Sequence, residues 1–397
     1  MTPSIRIPPA EFAQRAQALQ ARLAERKLGA AVLFDAHYIL YYTGFAFIPT
    51  ERPVGLVVTA QGKSALFVPR LEAEHAKAQA RVDEVADYPE YPGTQHPMTR
   101  FKALLDELGL DGPLGADQDG YPWLFGYRGP SLSELSGRPP APLRAEIEDQ
   151  MAIKSANEVA LLRESAKWAN LAHTLLQRYT AVGRTETEVA QRASDEATRA
   201  MLDAIGPVYR AQSAWFSGAA AGYRGQIGRN AAIPHALANN LTFRAGDVLV
   251  TGATAPVWGY HAELERTMVV GPPGDAQRRL FGHMLAMQDL ALDALGPGRP
   301  CSAVDEAVLG YVKRHKLEPH WRHHTGHAIG LRYHEGPFLD RGDATEMLPG
   351  MVFTVEPGLY APELGGFRHS DTAAITDDGA EPLTFYPRDL DSLTLPA

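Results

Sequence analysis

Two stretches of this chain share one plan, and that repeat limits the possible folds more than any other feature. GDVLVTGATAPVWGYHAELERTMVVG (246–271) and GMVFTVEPGLYAPELGGFRHSDTAAIT (350–376) each run glycine, apolar strand, glycine- and proline-containing turn, polar strand. Sequences with apolar residues at helical spacing precede both: IKSANEVALLRESAKWANLAHTLLQRY and TETEVAQRASDEATRAML before the first, DAQRRLFGHMLAMQDLALDAL and SAVDEAVLGYVKRHK before the second. Two such helix-plus-hairpin halves can pack back to back and turn their polar strand faces to a shared cleft. The period is too long for a solenoid. Glu263 and Glu265 fall in the first repeat as alternate residues of extended chain, hence on one face.

The residues ahead of the repeat read differently. GAAVLF, YILYYTGF and PVGLVVTAQGKSALFVP read as strands broken by glycine and proline turns, with EAEHAKAQA and TRFKALLDELGL as helices between them. A mixed α/β domain is expected over residues 1–148, closed by the proline-rich SGRPPAPLRAEIEDQ, and a second domain over residues 149–397.

Composition narrows the function classes. A chain of 397 residues, 45% of them hydrophobic, is long enough for two domains with real cores. A net charge of −9 argues against nonspecific nucleic-acid binding, which needs concentrated Lys and Arg. The single cysteine, Cys301, excludes an intrachain disulfide, reads as a small buried apolar residue and fits a reducing compartment. No apolar run approaches the ~20 residues of a membrane span, and the N-terminus alternates charge with Ala and Leu without an apolar core of signal type. A cytoplasmic location without a membrane partner is expected.

The blocks that carry chemistry are Gly246 to Thr267, HHTGHAIGLRYHEGP (323–337), VEPG (355–358) and GGFRHSDT (365–372). Together, in this order, they resemble the catalytic half of the creatinase/Xaa-Pro peptidase family, over residues 150 to 397. The resemblance implies the α+β "pita-bread" fold, a curved antiparallel sheet with helices outside and a pseudo-twofold repeat, behind the smaller N-terminal domain. It also implies roles for single residues. His327 matches the family's one histidine metal ligand. Glu356 follows a strongly apolar strand, where a carboxylate is costly unless it is paired, hydrogen-bonded or on a metal. Glu263 stands where dinuclear members have aspartate. Two further metal carboxylates are missing: Gly252 and Ser370 stand in their places. The resemblance therefore implies at most one divalent ion (zinc or manganese, or none), held by Glu263, His327 and Glu356.

Other residues divide the substrate classes. His334, with Glu335 and Pro337, matches the histidine placed near the scissile bond and the imino nitrogen. His235 in NAAIPHAL matches a histidine that shuttles a proton in creatinase and also occurs in prolidases; an imidazole has the right pKa for that task. Glu265, usually Thr in the peptidases, matches the creatinase glutamate that holds a cationic substrate. Arg52 resembles the creatinase arginine that binds the substrate carboxylate, with the first domain of one subunit overhanging its partner's site; a homodimer is implied. His323 and Arg368 join Glu265 and Arg52 as expected substrate contacts, and Arg368 is also an ion-pair candidate for Glu356. His324 and His369 receive no role, although His369 offers a nitrogen next to the missing glutamate. Three functions follow from the resemblance. The first is an Xaa-Pro dipeptidase-like hydrolase of C–N bonds in small carboxylate-bearing substrates, catalysed by His235, His334 and Glu356. The second is a metal-independent, creatinase-like amidinohydrolase. The third is a noncatalytic binding protein on the same scaffold.

Overall fold

In the computed structural model, which describes residues 5–91, 93–123 and 126–397, the chain divides into two units, Ile7–Met151 and Ala152–Ala397. The first is built on strand Ala30–Leu33, buried along its whole length. It pairs antiparallel with Gly55–Thr59, Leu33 opposite Leu56, and parallel with Leu114–Ala116. Ser64–Pro69 and Glu84–Tyr88 extend the sheet on one side, and Ala141–Pro142 closes the other. Six strands of mixed direction with helices between them form an α/β layer.

One expectation fails in this unit. Residues Ala36–Thr43, the body of YILYYTGF, form an α-helix rather than a strand. The aromatic content favours a strand, but the ends decide otherwise. The Asp35 carboxylate accepts from the backbone N–H of His37 and Tyr38, and Gly44 closes the helix at φ 73°. An N-cap of this kind is worth ~1 kcal/mol, and a left-handed C′ residue suits glycine.

The second unit repeats itself as its sequence does. In the first half, helices Ala156–Tyr179 and Glu186–Ile205 lead into Val248–Val250, which pairs antiparallel with Thr267–Val270. In the second, helices Asp275–Ala294 and Cys301–Arg314 lead into Val352–Val355, antiparallel to Asp371–Thr376. The latter pair lies within a five-stranded antiparallel sheet with Gly326–Ala328 and Glu335–Leu339 on one side and Gly379–Pro382 on the other. This is the pita-bread arrangement.

The halves meet at a seam. Glu265 and Ser370 exchange backbone N–H···O bonds of 3.0 Å in both directions. Next to it, Arg266 Nη2 donates to Asp371 Oδ1 at 2.8 Å with both side chains buried. Thr384 Oγ1 and Gln288 Nε2 also donate to Asp371, at 2.7 and 3.0 Å. Every functional block flanks this seam. Among the described residues, no helix is long and apolar enough to cross a membrane.

Candidate active site

His327 lies on strand Gly326–Ala328, where the absence of a Cβ on Gly326 lets the strand approach Thr354: an added Cβ would stand 2.1 Å from the Thr354 carbonyl oxygen. The His327 ring is fixed from behind. Its Nδ1 is 2.9 Å from the Ala328 carbonyl, so Nδ1 carries a proton and donates, and Nε2 is the ring atom turned toward the carboxylates. That Nε2 is buried, with Glu356 Oε1 3.1 Å away as its ion-pair partner. Glu356 emerges just after strand Val352–Val355, its backbone N–H donating to the Thr325 carbonyl at 2.8 Å. Glu263 reaches in from the other half, its backbone tied both ways to the Thr372 hydroxyl at 2.9 Å. One ligand atom from each of Glu263, His327 and Glu356 lies within 4.8 Å of the others. Two carboxylates converging on a buried imidazole nitrogen form a donor set that fits one divalent cation.

Among the described residues, no second such donor set accompanies it. Gly252 offers no side chain, and the Ser370 hydroxyl donates to Glu263 Oε1 at 2.7 Å. The space at Gly252 belongs to Glu265, whose Oε1 would lie 3.5 Å from a Cβ added there. Glu265 is itself held by two cations of this chain. Arg368 Nε donates to its Oε2, and Arg224 Nη2 donates to its Oε1 at 2.8 Å. Arg368 continues the chain of contacts, with Nη1 donating to the Tyr360 hydroxyl at 3.0 Å. The Tyr360 hydroxyl is 2.8 Å from His323 Nε2, and His323 Nδ1 is 2.8 Å from the His324 carbonyl. Since Nδ1 must donate to that carbonyl, Nε2 accepts and the tyrosine donates. Glu265 thus holds cations, as the resemblance implies, but these are arginines of the protein.

Electrostatics follow from this geometry. Burial, then the carboxylates of Glu356 and Glu265, push Glu263 up to about 7. Burial alone would lower His327, but Glu356 and then Glu263 hold it up at about 9. Burial would raise Glu356, yet His327 and Arg368 keep it well below the usual carboxylate range. His334 stacks on His327, with centroids 4.0 Å apart and planes 18° from parallel. Partial burial and the charge of His327 push it down to about 4, so it is neutral at pH 7. The loop carrying it is anchored by its neighbour Glu335, which accepts from buried Lys154 Nζ at 2.8 Å and from the Arg332 N–H at 3.0 Å.

The remaining expected residues fall inside and outside this cluster. His235 lies on an exposed loop, where it acts electrostatically on His334, and the preceding Pro234 carbonyl accepts from Arg368 Nη1 at 3.5 Å. His324 packs beside Phe338, ring centroids 5.6 Å apart. His369 is no substitute ligand: alternation along the strand turns it away from Ser370, and it is fully buried, edge-on to Phe281 at 5.2 Å. Arg52, in the other unit, is paired with Glu51 and with Glu90, the latter at 2.7 Å. Arg224, Tyr360 and Lys154 belong to the site without having been singled out in the sequence. Arg224 sits between glycines in GYRGQ at φ 51°, and its glycine flanks were the one available signal.

Comparison with known proteins agrees with this arrangement. Residues 160–377 match metallopeptidase family M24, and residues 15–131 match the Creatinase/Prolidase N-terminal domain. The chain is 28% identical over 345 residues to an Xaa-Pro dipeptidase of Pyrococcus furiosus, covering 85% of this chain and 88% of that protein. It is 27% identical to the Xaa-Pro dipeptidase of Pyrococcus horikoshii, covering 91% and 94%. Among solved structures, the dipeptidase PepE from Mycobacterium ulcerans superimposes with a TM-score of 0.83 at 25% identity, covering 99% of this chain and all of that one. With more than half its length matched, and the histidine and carboxylates of the matched region gathered at one seam, the chain belongs to metallopeptidase family M24.

Proposed function

We propose that this protein is a dipeptidase that cleaves the bond preceding proline in small dipeptides, using one divalent cation at Glu263, His327 and Glu356. The observation that carries the reading is the convergence of the buried His327 Nε2 and the Glu263 and Glu356 carboxylates within 4.8 Å of one another. An imidazole with carboxylates suits zinc or manganese. What such a cation supplies when bound is Lewis acidity toward a carbonyl oxygen and toward water. The protein's own groups do the rest. Neutral His334, stacked on His327, can hydrogen-bond the substrate amide, and His235, on the exposed loop that follows Pro234, is the candidate proton shuttle. Gly252 and the engaged Ser370 hydroxyl support a site for one ion rather than two.

The amidinohydrolase reading would require Glu265 to receive a guanidino group of the substrate. Its two oxygens already answer Arg368 and Arg224, which argues against it. The same proposal takes the protein as a cytoplasmic homodimer, supported by the resemblance and the single cysteine, with light scattering at micromolar concentration as the check. The test of function is hydrolysis of Xaa-Pro dipeptides by protein purified without chelator, together with its metal content. We expect turnover that exhaustive chelation abolishes, and at most one tightly held ion per chain. Hydrolysis that survives chelation, or two tight ions per chain, would sink the reading.

A further inference from the structure

Glu186 is a buried carboxylate that its own helix does not use. It opens helix Glu186–Ile205, and an acidic residue in a first turn is ordinarily explained by the positive end of the helix. Here Thr185 is the cap, its hydroxyl accepting from the Glu188 N–H at 3.4 Å. The Glu186 carboxylate turns instead to two other segments. Oε2 accepts from the Gly225 N–H at 2.8 Å, and Oε1 accepts from the N–H groups of Asn239 at 2.8 Å and Leu241 at 3.1 Å. Charge-assisted bonds of this kind offset the desolvation of a carboxylate that is only 2% exposed. Left-handed backbone aims the donors: Arg224 and Gly225 at φ 51° and 74°, and Asn240 at φ 53° between the two N–H groups that converge on Oε1. The two segments also meet directly. A Cβ on Gly225 would stand 2.1 Å from the Leu237 carbonyl oxygen.

The first segment carries Arg224, which donates to Glu265; the second carries His235. Packing does little to hold the second, since Ile233 is 51% and Leu237 79% exposed. Nearer His235 its ties are Gln226 Nε2 donating to the Ile233 carbonyl at 3.3 Å and a long contact of 3.5 Å from Arg368 Nη1 to the Pro234 carbonyl. We propose that Glu186 is a positioning residue for His235: its carboxylate ties the loop bearing that imidazole to the Arg224 turn and so fixes where the imidazole stands. This rests on the dipeptidase reading above, in which His235 moves the proton. Proton transfer needs hydrogen-bond reach, so a loop released from its tether loses turnover through geometry. Substrate binding, carried by other groups, is spared, and the effect falls on kcat rather than KM.

The experiment is a double-mutant cycle on alanyl-proline hydrolysis, using the full chain supplied with zinc or manganese. Glu186→Gln keeps the shape but has one acceptor oxygen, so its amide N–H₂ must face one of the two sets of donors. It should lower kcat about 10-fold or more and leave KM within about threefold. In a His235→Ala background the same change should cost less than about twofold, because a residue that acts through His235 has nothing left to position. Equal losses in both backgrounds would make Glu186 a brace for the fold and overturn the proposal, as would a loss that falls on KM alone. Should Glu186→Gln fail to fold, Asn240 decides. On the exposed loop, Asn240→Val disfavours the left-handed turn and should reproduce the pattern, whereas Asn240→Gly, which keeps that turn, should stay within about twofold of wild type. Equal effects of the two would overturn the proposal. If the wild type does not cleave alanyl-proline, the dipeptidase reading falls by itself, and amide hydrogen exchange decides about Glu186. Exchange at least about 10-fold faster across residues 233–241 in Glu186→Gln, with helix Ala156–Tyr179 still protected, upholds the tether; unchanged exchange overturns it.

Discussion

Glu265 shows how a single residue can reorganise a site. A carboxylate here fills the space beside Gly252 and pairs with two guanidinium groups, one of them the buried Arg368. Glu265→Thr removes the nearest carboxylate from that arginine in a low-dielectric interior, leaving it the Tyr360 hydroxyl and, at 3.8 Å, Glu356, and breaking a buried pair from one side costs ~3–5 kcal/mol. We expect a loss of that size in denaturant unfolding, and a smaller one for Glu265→Gln, which keeps hydrogen-bond acceptance. At the chemical centre, His235→Ala and Glu356→Ala should each lower turnover at least ~100-fold, the scale of losing a general acid/base or an electrostatic anchor, read as initial rates on an Xaa-Pro dipeptide. The sequence pointed to Glu263, His327 and Glu356 because each sits in a motif of fixed spacing, and the structure brings their ligand atoms together. It was silent on Arg224 and Tyr360. Their roles depend on contacts across 41 positions, from Arg224 to Glu265, and 37, from His323 to Tyr360, which no local pattern encodes.

Among the elements, the seam between the two hairpins decides whether the ligands meet, because Glu263 and Glu356 come from opposite halves. Arg266 braces it, donating to Asp371 and to the carbonyls of Glu265, Ser370, Tyr386 and Pro387. Arg266→Met should cost ~3–5 kcal/mol, because Asp371 is left as a buried unpaired charge; a shift of the denaturation midpoint reads it. Combining it with Asp371→Leu should restore part of the loss, because the unpaired charge is then gone. The long helices of this unit were evident from their period of 3.6 and their caps, such as the Ser155–Glu158 capping box. Helix Ala36–Thr43 was hidden because its run of buried tyrosines and aliphatics, Tyr38 to Tyr42, mimics a strand, and only the Asp35 and Gly44 ends betray it. Strand pairing at the seam rests on isolated bridges rather than long ladders, so the alternation of Glu263 and Glu265 was readable while their partners were not.

For the whole molecule, stability and metal uptake are linked through two titrations. Glu263 moves from 4.5 to about 7, so the fold favours its protonated form, a gain lost as pH rises through about 7. His327 moves from 6.5 to about 9, a gain fully present below 6.5 and lost as pH rises through about 9. The metal-free protein should therefore lose thermal stability between about pH 5 and 9. The rise in midpoint produced by zinc should grow across the same window as both ligands shed their protons. A zinc-induced rise that is largest at pH 5.5 would contradict this. A second ion should require three changes together. Gly252→Asp alone should leave at most one ion per chain, whereas Gly252→Asp, Glu265→Thr and Ser370→Glu combined should hold two by elemental analysis.

That requirement makes the three positions interdependent. Each of the three substitutions is unfavourable by itself. Aspartate at 252 would face the Glu265 carboxylate across 3.5 Å of Cβ contact. Threonine at 265 would take from buried Arg368 its nearest carboxylate and release Arg224. Glutamate at 370 would exchange a hydroxyl donor for a third carboxylate against Glu263. With Glu265 in place, no one of these changes alone is expected to create a second ion site, so positions 252, 265 and 370 constrain one another.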